Sequence, residues 1–290
     1  MNEYTGREIA VFTDVHALLE PISAILEDIK KRGITEIYSL GDNIGVGPNP
    51  SEVLDLLDEY KVKVINGNSE EYSTIGIEPF VGYFCGNIKK IASQNWTLSQ
   101  LSSDQIKKLK HNKHSYELTV GGKKIGLCHF ANDVRIDFSK RSTWSYQKSI
   151  NSGLHDPQEQ FYYTNSTEQK KEIEEKGESD LPADKGFASA KKDTLFDGKK
   201  IDEFDEIIQG HVHFKFLTED EKTKIRTIRA AGIGYGNDPV DFASYIIIKE
   251  KKEGYDVLEV LVPFDRKSML KRIDESTMPD KDTINRFVSR

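Results

Sequence analysis

Asp14, His16, Asp42, Asn68, His129, His211 and His213 can each offer a lone pair to a divalent cation. They lie in five short polar motifs: Asp14-Val15-His16, Gly41-Asp42-Asn43-Ile44-Gly45, Gly67-Asn68-Ser69-Glu70, a lone His129, and Gly210-His211-Val212-His213. This mixture of imidazole and oxygen donors suits manganese, iron, zinc or nickel better than calcium. Two such ions side by side acidify a shared water and stabilise the oxygens that gain charge in a hydrolytic attack. Taken singly the pieces are weak: Asp-x-His triplets arise by chance, and a lone histidine ending an apolar run is more often a satisfied core residue. Their joint placement carries more. Of seven histidines, His16, His129, His211 and His213 end predicted strands, whereas His111, His114 and His155 lie in polar stretches and read as surface residues.

The elements that must position these side chains follow from periodicity. Glu8 to Thr13 reads as an apolar strand, and Leu18, Leu19, Ile22, Ile25, Leu26 and Ile29 recur at helical spacing before Gly33. A second strand is predicted over Glu36 to Leu40 and a third over Lys61 to Ile65. Between them Ser51 is expected to cap a helix carrying Val53, Leu54 and Leu57. This β-α-β-α-β order implies parallel strands joined by right-handed crossovers. Asp42 follows Asp14 by 28 residues and Asn68 follows Asp42 by 26, each close to one β-α-β unit of roughly 30 residues. Neighbouring strands would then deliver their polar residues to one rim, at the carboxyl ends of the sheet.

Further on, residues 71 to 112 read as mostly helical, with Ser102 and Gln105 as a capping box. Strands are predicted at Tyr116 to Val120 and Lys124 to Cys128, joined by a Gly121-Gly122 turn, and at Glu206 to Gln209, Lys224 to Arg229, Ala243 to Ile248 and Val257 to Val262. The polar tail is expected to be helical around Lys267 to Ile273. Residues 132 to 200 differ in character: they are polar and charged, yet carry Phe138, Trp144, Tyr146, Phe161, Tyr162 and Tyr163. That stretch reads either as a surface excursion packed by its own aromatics or as a lid able to stack on a base.

The 290-residue chain has 41 Lys+Arg against 48 Asp+Glu, a net charge of -7. An acidic balance disfavours a nucleic-acid partner read through its backbone, but not a small phosphorylated substrate, since bound metal supplies local positive charge. The two cysteines, Cys85 and Cys128, form no disulfide framework, and Cys128 reads as a buried thiol. No membrane span or leader is evident, so a cytoplasmic protein is expected; a homo-oligomer is compatible with the sequence.

The motif series Asp-x-His, Gly-Asp-x-x-Gly, Gly-Asn-x-Glu, His and Gly-His-x-His, in this order, resembles the calcineurin-like metallophosphoesterase superfamily. The stretch Gly45 to Glu52, and Trp96 with Leu101-Ser102, are similar to its small bacterial phosphoesterase branch. The resemblance implies an α/β fold, a four-layer α/β/β/α metallophosphoesterase sandwich, formed by residues 1–290 as one domain with an insertion at about 132–200. It implies two divalent ions: one on Asp14, His16 and His213, the other on Asn68, His129 and His211, with Asp42 bridging. Asp42 and Asn68 would be catalytic, and Asn43, Asn68 and Ser69 would meet the substrate, although Asn43 reads equally well as a solvent-facing loop residue. The implied activity is hydrolysis of a small phosphodiester or phosphoanhydride, such as a nucleotide, by a metal-bridging hydroxide. The alternatives are a phosphomonoesterase acting on a small metabolite, a non-catalytic metal-binding scaffold and a nuclease.

The chain departs from the family pattern in four places. Ser69 stands where many relatives carry a histidine; either this shifts expectation toward substrates with good leaving groups, or another residue takes the role, or the position is simply variable. No arginine follows Asp42, unlike in protein serine/threonine phosphatases and symmetrical dinucleoside tetraphosphatases. His129 and His211 are 82 residues apart, longer than in compact relatives. Ala230-Ala231-Gly232-Ile233-Gly234 replaces a common Asn-Pro-Gly-Ser loop.

Overall fold

The computed structural model describes residues 3–75, 88–129, 203–211, 213–219, 223–233 and 240–288. The aromatic-bearing stretch, Cys85, His155 and Gly234 lie outside these residues. Strand β1 (Tyr4–Phe12) is followed by α1 (Leu19–Lys31), β2 (Glu36–Ser39), α2 (Pro50–Glu59) and β3 (Lys63–Val64). The three strands are parallel neighbours, as the β-α-β-α-β order predicts. Strands β9 (Phe242–Lys251) and β10 (Tyr255–Pro263) complete this sheet in the order β10-β9-β1-β2-β3. A second sheet, ordered β4-β5-β6-β8-β7, comprises β4 (Ser115–Val120), β5 (Lys123–Cys128), β6 (Glu206–Gln209), β7 (Phe216–Glu219) and β8 (Lys224–Thr227). Helices α3 (Asn68–Ile75), α4 (Ile88–Gln100) and α5 (Ser103–Leu109) link the two sheets, and α6 (Arg266–Glu275) and α7 (Lys281–Val288) end the chain.

Each layer follows from side-chain alternation. In β1, Ala10 and Phe12 face the helices while Ile9 and Val11 face the other sheet, and all four are fully buried, as in a central strand covered on both faces. Ile22, Ile25, Leu26 and Ile29 put the apolar stripe of α1 against that first face. Gly33, at φ +74°, closes the helix as a left-handed cap. Between the sheets, Ile9, Val11, Ile246 and Ile248 meet Val120, Ile125, Leu127 and Ile208 in a dry core. The fold is therefore α/β, with two packed sheets and helices on the outer face of the first. Among the described residues no helix is long and apolar enough to cross a membrane.

Sequence and structure differ in local details. α2 begins at Pro50 with Asn49 as N-cap, so Ser51 lies inside the first turn and bonds Gln105 at 3.1 Å instead of capping. The predicted third strand shrinks to two residues, because the chain turns into the Gly67 loop once it has paired with Ser39. Two further elements lie outside the sequence expectation: β7 is a short edge strand beside β8, and α7 buries Ile284 and Val288 against Met269 and Ile273. The Ser102–Gln105 capping box and the left-handed Gly121-Gly122 hairpin are both present.

The inter-sheet core sets a stability prediction. Ile248→Ala, at a fully buried position remote in sequence from every polar motif, should cost about 2–5 kcal/mol. In urea titration this would lower the midpoint at unchanged slope; an unchanged midpoint would contradict the assigned packing.

Candidate metal centre

The parallel strands of both sheets end on one rim. Phe12 pairs with Ser39 and Ser39 with Val64 in the first sheet, so Asp14, Asp42 and Asn68 emerge together from the loops beyond. In the second sheet β5 and β6 run parallel, and the Gly210 N–H donates to the His129 carbonyl at 2.9 Å, which sets His129 beside His211. The Ala231 N–H donates to the Thr13 carbonyl at 2.8 Å and ties the loop after β8 to the Asp14 motif.

All seven predicted ligands meet there, in two groups. Asp14, His16 and His213 form one; Asp42, His129 and His211 form the other, and within each group the ligand atoms lie within 4.8 Å of one another. In the first, His16 Nε2 is 2.9 Å from His213 Nε2, and Asp14 Oδ1 is 3.3 Å from His213 Nε2. In the second, Asn68 Oδ1, His129 Nε2 and His211 Nδ1 make a triangle with sides of 3.1, 3.1 and 3.0 Å. Asp42 lies between: Oδ2 is 3.9 Å from His16 Nε2 and Oδ1 is 3.6 Å from His129 Nε2.

These residues fit metal better than they fit one another. His129 donates Nδ1–H to the Leu40 carbonyl at 2.9 Å, so a neutral ring turns a bare lone pair on Nε2 toward the Asn68 oxygen, which can only accept. Asp14 Oδ2 accepts from the Thr13 hydroxyl at 2.6 Å and the His211 N–H at 2.8 Å, leaving Oδ1 buried with no hydrogen-bond donor among the described residues. Donors bound at about 2.1 Å around one ion, at right angles, stand about 3.0 Å apart, and the triangle has that size.

The electrostatics point the same way. Burial opposes charge on Asp14, yet His213, His129 and His16 hold its carboxyl far below the usual range. Burial, reinforced by His213, pushes His16 down to about 3 and keeps the imidazole neutral, the form a metal ligand requires. Burial alone would lower His129, but Asp42, Asp14 and Glu70 more than reverse it. Burial, then Asp14, raises Asp42; burial, then Asp42, pushes Glu70 up to about 7. Among the described residues no Lys or Arg pairs with Asp14, Asp42 or Glu70, and the ion-pair neighbours of Asp14 and Asp42 are the site histidines. Among those residues the cluster is short of positive charge.

Backbone geometry is equally specialised. Asp14, His16, Asp42, His211 and His213 all have φ between 50 and 72°, a left-handed region that non-glycine residues rarely occupy. Two motif glycines exist because nothing larger fits. A Cβ on Gly67 would lie 2.4 Å from Asp42 Oδ1, and one on Gly210 would lie 1.9 Å from Thr13 Oγ1 and 2.5 Å from Asp14 Oδ2.

The remaining expectations fare unevenly. Asn43 is fully buried, so the solvent-facing reading is excluded. Its Oδ1 accepts from the Ser39 hydroxyl at 2.5 Å and its Nδ2 donates to Glu70 at 3.3 Å, so this carboxamide supports the loop. Ser69 is also buried, and its N–H donates to Asp42 Oδ1 at 2.8 Å. Cys128 is the buried thiol expected, and burial pushes it well above the normal thiol range. His111 is exposed, whereas His114 is half-buried beside Glu71 rather than on the open surface. Nothing in the Gly67-Asn68-Ser69-Glu70 motif marks Glu70 for a role of its own. It is fully buried and accepts from Asp42, Asn43 and Gly67.

Two predictions follow from this geometry. Saturating Mn²⁺ should raise the melting temperature by about 5 °C or more at a hundredfold excess over Kd. Gly67→Ala, which forces Asp42 aside, should keep the circular dichroism spectrum and abolish that rise. A full rise in the variant would contradict the close packing of Gly67 on Asp42.

Comparison with known proteins agrees with the geometry. Residues 8–229 match the calcineurin-like phosphoesterase superfamily domain. The chain is 27% identical over 272 residues, 94% of either chain, to the protein MJ0912 of Methanocaldococcus jannaschii. Its fold is similar to that of the hypothetical protein PH1004 of Pyrococcus horikoshii, with a TM-score of 0.63, 15% identity and 98% of each chain covered. It is likewise similar to a metallophosphoesterase of Sphaerobacter thermophilus, with a TM-score of 0.59, 16% identity and 98% of each chain covered. The matched span holds every side chain of the double cluster, and the chain belongs to the calcineurin-like phosphoesterase superfamily, a family of metal-dependent phosphoesterases.

Proposed function

We propose that this hydrolase acts on a small phosphodiester or phosphoanhydride, using two divalent cations on the rim. Asp14, His16 and His213 would hold one, Asn68, His129 and His211 the other, and Asp42 would reach both. The observation that carries this reading is the double cluster itself: two sets of converging lone pairs with a carboxylate between them and, among the described residues, no cationic side chain paired with its carboxylates. When bound, such ions supply the charge that holds a phosphate group and a water acidic enough to attack near neutral pH.

The protein's own residues prepare the rest. The Thr13 hydroxyl and the His211 N–H fix Asp14, the Leu40 carbonyl orients His129, and the Ser69 N–H orients Asp42. Such outer hydrogen bonds hold ligands in place and tune their basicity. Asn68 is only partly buried, so it is a ligand placed to touch a substrate phosphate as well. The leaving group narrows the substrate class. A serine hydroxyl at position 69 does not supply a proton at neutral pH as an imidazolium does. Phosphoanhydrides, and diesters of acidic alcohols, depart without that help.

A substrate panel run with Mn²⁺, Zn²⁺, Fe²⁺ and Ni²⁺ tests this reading. Bis(p-nitrophenyl) phosphate and dinucleoside polyphosphates should exceed glycerol phosphate in kcat/KM by about tenfold or more; faster cleavage of the alkyl monoester would overturn the substrate assignment. Asp42→Asn should lower turnover by at least about 100-fold. Undiminished turnover would remove Asp42 from the centre.

A further inference from the structure

The two loops that carry Asp42 and Asn68 are joined differently from the others on the rim. Between the β1 and β2 loops the backbone itself makes the join: Asp14 N–H to Gly41 O at 2.9 Å, His16 N–H to Asp42 O at 2.8 Å, and Ala17 N–H to Asn43 O at 2.8 Å. Between the β2 and β3 loops the ladder stops with Ile65 N–H to Ser39 O at 2.9 Å. Beyond that point no backbone–backbone hydrogen bond joins residues 41–45 to 67–69 among the described residues. Side-chain carboxylates take over. Glu70 Oε2 accepts from the Asp42 N–H at 2.9 Å and the Gly67 N–H at 2.8 Å, and Oε1 accepts from the Asn43 N–H at 2.7 Å. Asp42 returns the bond by accepting the Ser69 N–H.

We propose that Glu70 is a positioning residue for one of the two metal sites: it sets the separation of Asp42 from Asn68 and thereby the affinity for the ion held by Asn68, His129 and His211. This rests on the two-metal reading above. Both Glu70 oxygens are occupied by N–H groups, and Glu70 is not among the converging ligand atoms, so it acts through the loops and not as a ligand. The ion on Asp14, His16 and His213 should depend on it far less, because backbone bonds already fix the Asp42 loop to the Asp14 loop. Charge is what the position needs. Two oxygens accepting three backbone N–H groups suit a carboxylate, whereas a carboxamide would set an NH₂ against one of those donors.

The test is titration calorimetry of the full-length, metal-stripped protein with Mn²⁺, together with electron paramagnetic resonance of the loaded protein. The wild type should bind two ions and show a spin-coupled manganese pair. Glu70→Gln should weaken one ion by about 10- to 100-fold, leave the other within about threefold, and replace the coupled spectrum by that of a single Mn²⁺. Glu70→Asp, which keeps the charge but shortens the reach, should fall between the two. Two ions bound with wild-type affinity in Glu70→Gln would overturn the role, as would equal weakening of both ions. Failure of both variants to fold would overturn it too, making Glu70 a folding residue. If the wild type itself bound fewer than two ions, the two-metal reading would fall first.

Discussion

Among the described residues, three buried carboxylates share one rim with four imidazoles and no lysine or arginine against them. Coulomb repulsion at such short range in a dry setting is too large to leave uncompensated. Positive charge must enter, as protons or as metal ions, and the directions in which Asp42, Glu70 and His129 shift all express that demand. Divalent cations meet it best, because the ligand atoms already converge at separations suited to coordination and hydrogen bonds cannot satisfy them all. The rest of the architecture can be understood as what holds these groups together against their mutual repulsion.

The holding is done by backbone. Five of the seven candidate ligands sit at positive φ, where each residue costs on the order of 1–3 kcal/mol. The surrounding fold must over-determine those conformations. It does so through cross-loop bonds such as Asp14 N–H to Gly41 O, through glycines that admit a neighbouring loop to contact distance, and through the Glu70 carboxylate where the ladder ends. The dry core between the sheets anchors both sets of strand ends. It sets the two halves of the site opposite each other although His211 follows Asp14 by 197 residues.

Much of this was legible in the sequence. The regular interval from Asp14 to Asp42 to Asn68 encodes parallel strands, because a crossover helix needs a nearly fixed length. The stripe of α1, the Ser102–Gln105 box and the Gly121-Gly122 turn are local features, and local features are what sequence patterns report. What escaped depends on tertiary contact. Asn43 looks like a loop residue, and only the approach of Glu70 and Ser39 buries it. Glu70 looks like one acid among many until three backbone donors surround it. Ser51 has the right chemistry for an N-cap but is drawn to Gln105, while Asn49 begins the helix. Left-handed backbone at Asp14 or His213 has no sequence signature, since neither residue is a glycine.

The most direct measurement is anomalous diffraction from crystals soaked in Mn²⁺. The account predicts two peaks of comparable height: one within bonding reach of Asp14, His16 and His213, the other of Asn68, His129 and His211, with an Asp42 oxygen near each. A single peak, or peaks away from these residues, would contradict the claim that this rim is built for two ions.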